Sequence, residues 1–229
     1  MKTSLILFDI DGTLLTSGGA GEYALRLGFQ DAFSLPEDFS GIEISGRTDS
    51  GIARQVFQKH GVEPNEENLN RYFQGYLCRL QEQIPQRPGR VLPGVRALLD
   101  ALAARSHVSL GLLTGNLERG ARIKLRHYGV DEPFGFGAFA DDHHDRDELA
   151  KLALSRACAR HSVEFCSNNS YVIGDTPQDI RCARACGARA IAVATGSFTM
   201  EQLAEHQPDA LFADLTDLHA VLRALGEGA

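Results

Sequence analysis

Short, continuous apolar runs alternate with stretches of helical period along most of this chain. Residues 4–8, 108–113, 170–173 and 190–194 have the length and aliphatic content of strands, and 136–140 and 209–212 are weaker examples. Between them, apolar positions recur at helical spacing over 94–105, 117–128, 147–161, 177–186 and 215–225. The punctuation agrees with these bounds. Asn116 is placed to N-cap the second of these helices and Gly129 to end it. Thr176-Pro177 supplies a cap followed by proline at the first helical position, and Gly187 stops that helix. The strands are apolar throughout rather than alternating, so both of their faces are expected to be covered. The expected fold class is α/β, a doubly wound parallel sheet with any ligand at the carboxyl ends of its strands.

One interval departs from this rhythm. The first strand ends near Asp9, yet the next sheet helix begins only around Gly94. A strand-to-helix connection normally takes ~2–6 residues, so the intervening chain must have structure of its own. It has helical patterns at 21–33, 48–60 and 69–84, between linker-like Gly18-Gly19 and Pro88-Gly89. The expected organisation is a core of residues 1–16 and 88–229, with a helical cap, 17–87, lying as a lid over the carboxyl edge of the sheet.

Charge and composition narrow the partners. A net charge of −7 speaks against a nucleic-acid or membrane-surface role, which calls for basic patches. No stretch is long enough to span a bilayer. Asp9 cuts the N-terminal apolar run short and no small-residue cleavage site follows, so a secretory leader is not expected. The five cysteines (Cys78, Cys158, Cys166, Cys182, Cys186) form no CxxC pair. Cys182 and Cys186 share a helix face, which reads as packing. Reduced thiols and a cytoplasmic location are expected.

The stretch LILFDIDGTLL, residues 5–15, sets Asp9 and Asp11 at the end of a strand, where carboxylates are unwelcome without a purpose. The 108–113 strand runs into Thr114-Gly115-Asn116, and the 170–173 strand into Gly174-Asp175-Thr176-Pro177-Gln178-Asp179. A parallel sheet therefore gathers Asp9, Asp11, Thr114, Asp175 and Asp179 at one edge. Carboxylates crowded together repel unless a cation neutralises them. Oxygen-only ligands favour a hard ion, and Mg²⁺ leaves room for water and a phosphate.

DIDGT, LLTGN and IGDTPQD, in this order and with a helical insertion after the first, resemble the haloacid dehalogenase superfamily over essentially the whole chain. The similarity is greatest to phosphoglycolate-phosphatase-like members with a helical cap of the first type. The resemblance implies a Mg²⁺-dependent phosphatase acting on a small phosphorylated metabolite through an aspartyl-phosphate. Asp9 would be the nucleophile; Asp11 would protonate the leaving alcohol and then deprotonate water. Asp9, the Asp11 carbonyl and Asp175 would hold the metal, and Thr114 would bond a phosphoryl oxygen. Gly12, Thr13, Gly115 and Asn116 would line the substrate. The lysine that the family places before the helix after the third strand is absent from DDHHDRDELAKLALSRA. Arg146, at the helix start, is the expected substitute, with Lys151 facing solvent.

Several positions carry two readings. Asp179 can be a metal ligand or a neighbour of one, or a first-turn residue in a capping arrangement with Thr176. Asn116 can be a plain cap. His143-His144 invite a metal, but fit a solvated polar loop. Arg47, in ISGRTDS between two cap helices, can read a substrate's second anionic or hydroxyl-rich moiety, or be a surface arginine beside a Thr48 helix cap. Rival functions divide on the same residues. A phosphomutase would keep both aspartates; a dehalogenase would not need Asp11. A phosphonate-cleaving relative would need a cap lysine, for which only Lys59 is present, and a non-enzymatic receiver module would need no lid. A monomer or homodimer is expected.

Overall fold

The computed structural model describes residues 4–166 and 168–228. At its centre is a six-stranded parallel sheet. Strand β1 (Ser4–Phe8) lies between β4 (Val108–Leu113) and β6 (Ser170–Gly174), and β5 (Gly137–Ala138) extends the sheet beyond β4. On the other side follow β7 (Arg189–Val193) and β8 (Ala210–Phe212). Alternate residues of β1 enter opposite layers. Ile6 and Phe8 pack with α4 (Val95–Ala103), α5 (Glu118–His127) and α9 (Leu218–Ala224). Leu5 and Leu7 pack with α6 (Arg146–His161), α7 (Pro177–Ala185) and Leu203 of α8 (Met200–Ala204). Covered faces explain why these strands lack polar alternation.

Between β2 (Leu15–Thr16) and β3 (Arg90–Val91), which pair as a short antiparallel ribbon, stand α1 (Ala20–Phe33), α2 (Asp49–His60) and α3 (Glu66–Gln83). They enclose an apolar cluster of their own around Phe29, Phe57, Tyr72 and Tyr76. Gly28 and Gly75 let α1 and α3 approach backbone to backbone, since a Cβ at Gly28 would crowd the Tyr76 main chain.

Asn116 is not the cap of α5. Leu117 occupies that position without a side-chain cap, and carboxylates from elsewhere take the free amides: Asp49 accepts from the Leu117 N–H (2.8 Å) and Asp141 from that of Glu118 (2.5 Å). The Asn116 side chain is thereby released to the neighbouring site. Thr176, Pro177 and Gly187 act on α7 as their types suggest: Thr176 and Asp179 form a capping box, and Gly187 takes φ 74°.

Candidate active site

Register decides which residues meet. Phe8 is level with Leu112 of β4 and Ile173 of β6, so Asp9, Thr114 and Asp175 leave the sheet at one edge, side by side. The chain then turns: the Ile10 carbonyl accepts from the Thr13, Leu14 and Leu15 amides, and Gly12 takes φ 85°. Any Cβ at Gly12 would overlap the Asp175 carboxylate, so only glycine fits. Thr13 is fully buried and donates its hydroxyl to Asp175 Oδ1 (2.9 Å); it faces Asp175 rather than the cavity. A fourth strand exit contributes too. The Thr195 hydroxyl, after β7, donates to the Gly12 carbonyl (2.5 Å), and Gly196 lies against Asp175.

Asp9, Asp175 and Asp179 each offer a carboxylate oxygen within 4.8 Å of the others, and all three are buried. Burial pushes the Asp9 carboxyl up to about 7; Arg146 opposes the rise and Asp179 and Asp11 add to it. Asp175 lies well above its ordinary range, through burial and then through Asp179 and Asp9. An all-oxygen set whose charges are desolvated and mutually repelling fits a hard divalent cation. Asp179 is already occupied. Its Oδ2 accepts from the Thr176 amide (3.0 Å) and hydroxyl (2.6 Å), and its Oδ1 accepts from Arg146.

Arg146 opens α6 and is buried. Its Nη2 donates to Asp9 Oδ1 (3.3 Å) as well as to Asp179, while its buried Nε has no partner among the described residues. Lys151 is exposed and paired with Glu148. The guanidinium therefore stands where a phosphoryl oxygen beside Asp9 would meet it. His143 and His144 stack on each other, and neither joins a metal-capable cluster among the described residues.

On the other side of Asp9 stand Asp11, Asn116 and Thr114, joined by a lysine that no sequence motif singles out. Lys124 of α5 reaches Asp11 Oδ2 (2.5 Å) and the Asn116 carbonyl, and the Asn116 amide donates to the same Asp11 oxygen (2.9 Å) and to Thr114 Oγ1 (3.1 Å). One signal existed. Lys124 falls three residues after Ala121 and beside Leu125, on the apolar stripe of α5, where a lysine needs a buried partner.

The insertion closes over this edge. Thr48 caps α2 through the Gly51 amide and donates its hydroxyl to the His144 carbonyl (2.8 Å). The Asp49 amide donates to the Gly115 carbonyl (2.6 Å), and Gly115 lacks a Cβ where one would strike the Arg47 carbonyl. Burial raises the Asp49 carboxyl to about 6, against Lys124 and the Leu117 amide. The Arg47 guanidinium is bound to Glu43 on the exposed side of its loop, so it is the Arg47 backbone that meets the core. A cavity of about 500 Å³ remains between cap and core, and Asp9, Asp11, Asp175, Arg146, Lys124 and Tyr76 are among the residues that line it.

Comparison with known proteins finds similarity along nearly the whole chain. The chain is 27% identical to the phosphoglycolate phosphatase of Rhodospirillum rubrum, over 93% of this chain and 88% of that one. It is 26% identical to a Dickeya dadantii protein named "Probable phosphatase IndB", over 96% and 94%. The crystal structure of a hydrolase from Pseudomonas syringae superposes with a TM-score of 0.74 at 22% identity, covering 97% of this chain and 98% of that one, a likeness of fold. Residues 6–184 match the haloacid dehalogenase-like hydrolases, and with the strand-edge aspartates in register the chain belongs to that family.

Proposed function

We propose that the protein is a Mg²⁺-dependent phosphatase of small phosphomonoesters, phosphoglycolate-phosphatase-like, working through an aspartyl-phosphate on Asp9. The observation that carries this reading is the buried Asp9–Asp175–Asp179 cluster with Arg146 lying against it, where Asp9, Asp175 and Arg146 line the cavity between cap and core. In the first half-reaction an Asp9 oxygen attacks phosphorus, the ester P–O bond breaks, and Asp11 passes a proton to the departing oxygen. In the second, Asp11 takes a proton from water, the water oxygen bonds to phosphorus, and the bond to Asp9 breaks to release phosphate. Arg146 and the Thr114 hydroxyl hold phosphoryl oxygens. The Thr114 hydroxyl is free to donate, because both of its contacts to Asn116 use it as an acceptor. Asp9, Asp175 and the Asp11 carbonyl would hold Mg²⁺, which would supply positive charge to keep these carboxylates ionised and to offset charge on the phosphoryl group. Asp179 is assigned to holding Arg146 and Thr176.

The insertion, residues 17–87, acts as the cap that limits bulk solvent at the site during phosphoryl transfer, while the cavity keeps room for the hydrolytic water. Its Lys59 is committed to Glu37, Asp38 and the Ser40 carbonyl and offers no amine for phosphonate chemistry. No described helix is long and apolar enough to cross a membrane. We assign the protein to the cytoplasm, as a monomer or homodimer. The test is a phosphate-release screen over a panel of phosphorylated metabolites with Mg²⁺, beside an Asp9→Asn control. Phosphate release by the wild type and none by the folded variant is expected; substantial release by the variant refutes the mechanism. Interconversion of sugar phosphates without phosphate release would mark a mutase instead.

A further inference from the structure

Lys124 is one of the few buried lysines a domain of this size can tolerate, with a side chain 4% exposed and its ammonium at the cavity wall. Packing alone would be served by methionine or leucine, so the charge must have a task. It bonds Asp11 Oδ2 and the Asn116 carbonyl, while the Asn116 amide bonds the same Asp11 oxygen. The three side chains thus form a closed ring of hydrogen bonds. Lysine has no acceptor, so it fixes which end of the Asn116 amide faces it and turns the NH₂ toward Asp11. Gly21 of α1 leaves the ammonium its room, since a Cβ there would stand 3.3 Å from Nζ. Asp11 needs such support. Its side chain is 39% exposed, in the turn after β1, apart from the buried cluster that holds Asp9.

We infer that Lys124 is a positioning residue that, with Asn116, pins Oδ2 of Asp11 and reserves Oδ1 for proton transfer. The inference rests on the phosphatase reading. As the ester P–O bond breaks, Oδ1–H gives its proton to the leaving oxygen; as water bonds to phosphorus, Oδ1 takes one back. Lys124 neither gains nor loses a proton and does not touch the substrate. A carboxylate free to swing about its side-chain torsions loses the alignment on which general acid catalysis depends.

The experiment compares glycerol 2-phosphate, whose alkoxide must be protonated, with p-nitrophenyl phosphate, whose phenolate leaves unaided, at saturating Mg²⁺. Lys124→Met should lower the ratio of kcat values, glycerol over aryl, on the order of tenfold, with both KM values within about threefold of wild type. Lys124→Arg should recover part of that ratio. Thermal melts establish folding, and Lys124→Gln carries the same comparison if the methionine variant does not fold. Equal losses on both substrates would assign Lys124 to cap closure, and a KM rise at unchanged ratio would place it on the substrate; either overturns the inference. Wild-type turnover and its loss in Asp9→Asn are read first, so failure of the phosphatase reading shows there, and failure of the Lys124 assignment only in the variants.

Discussion

Asp49→Asn should stabilise the protein at pH 8, by an amount that shrinks as pH falls through about 6 and vanishes below about 4. Asp49 stands in the first turn of α2, 6% exposed, with its carboxylate on the Leu117 amide and within reach of Tyr76. Burial raises it from 3.8 to about 6, and that figure already contains the opposing pull of Lys124. The folded protein therefore holds a proton on Asp49 more tightly than the unfolded chain does. Between pH 4 and 6 the folded state binds more protons, so this group's contribution is fully present in acid and is lost as pH rises through about 6. At about 1.36 kcal/mol per pH unit, the step from 3.8 to about 6 amounts to about 3 kcal/mol.

Asparagine keeps the volume and the carbonyl that accepts from Leu117, but it cannot ionise. At pH 8 the variant should recover up to those ~3 kcal/mol, which at ~2–4 °C per kcal/mol for a chain of this size is a rise of roughly 6–12 °C. The assay is a set of melts from about pH 3.5 to 8.5 for both proteins in matched buffers without added metal, read as the difference in Tm. That difference should open between about pH 4 and 6 and level off above. A difference that does not change with pH, or a variant less stable than wild type at pH 8, would refute the placement of a desolvated, ionisable Asp49 between lid and core.

Arg146→Met should reduce kcat by about 10²–10³, the scale of losing one preorganised charge at a phosphoryl group; a loss under tenfold would hand the role to another cation. Asp175→Asn should raise the Mg²⁺ concentration for half-maximal activity at least about tenfold, and chelation should silence the wild type, while activity surviving exhaustive chelation excludes the metal assignment. Arg47→Ala should change KM by less than about threefold, because its guanidinium is spent on Glu43; a rise of tenfold or more on the best natural substrate alone would return substrate reading to this arginine.

The sheet was legible because burial on both faces leaves an unmistakable trace. The runs at 4–8 and 108–113 are strands over those same residues, 170–173 falls one residue short of β6, and 190–194 is displaced by one residue from β7. Elements that hold only a few residues leave no such trace. The run at 136–140 contracts to the two residues that pair with Leu112 and Leu113, and the β2–β3 ribbon is set by where the insertion leaves and returns rather than by any apolar period. Helix α8 has five residues and a Thr199–Gln202 capping box, too short for a helical stripe. The α5 cap was misplaced for a different reason. Asparagine before a helix satisfies amides unless something better is near, and here Asp49 and Asp141 arrive from remote segments, one of them across the lid interface.

The same contrast runs through the site. Asp9, Asp11 and Asp175 follow strands directly, so topology alone carries them to one edge. Arg146 was findable because a helix start after a strand points at that edge too. Lys124, Asp49 and Thr195 depend on how α5 is rotated, how far the lid descends and where the β7 exit lies, none of which a local pattern encodes. Their contacts meet on one short segment. Thr114 lies beside Asp9, Gly115 receives the Asp49 amide, Asn116 holds Asp11 and Leu117 takes the Asp49 carboxylate. Four successive residues therefore join the edge beside Asp9 to the seat of α2 and to the Asp11 side chain. Under the proposed mechanism these are phosphoryl binding, lid seating and orientation of the proton carrier. A lid that lifts α2 away releases both bonds to Gly115 and Leu117, and the residue between them is the one that fixes Asp11. Seating of the lid and alignment of Asp11 would therefore, under the proposed mechanism, depend on one loop, and a variant that unseats α2 should lose proton transfer to the leaving group as well as substrate enclosure.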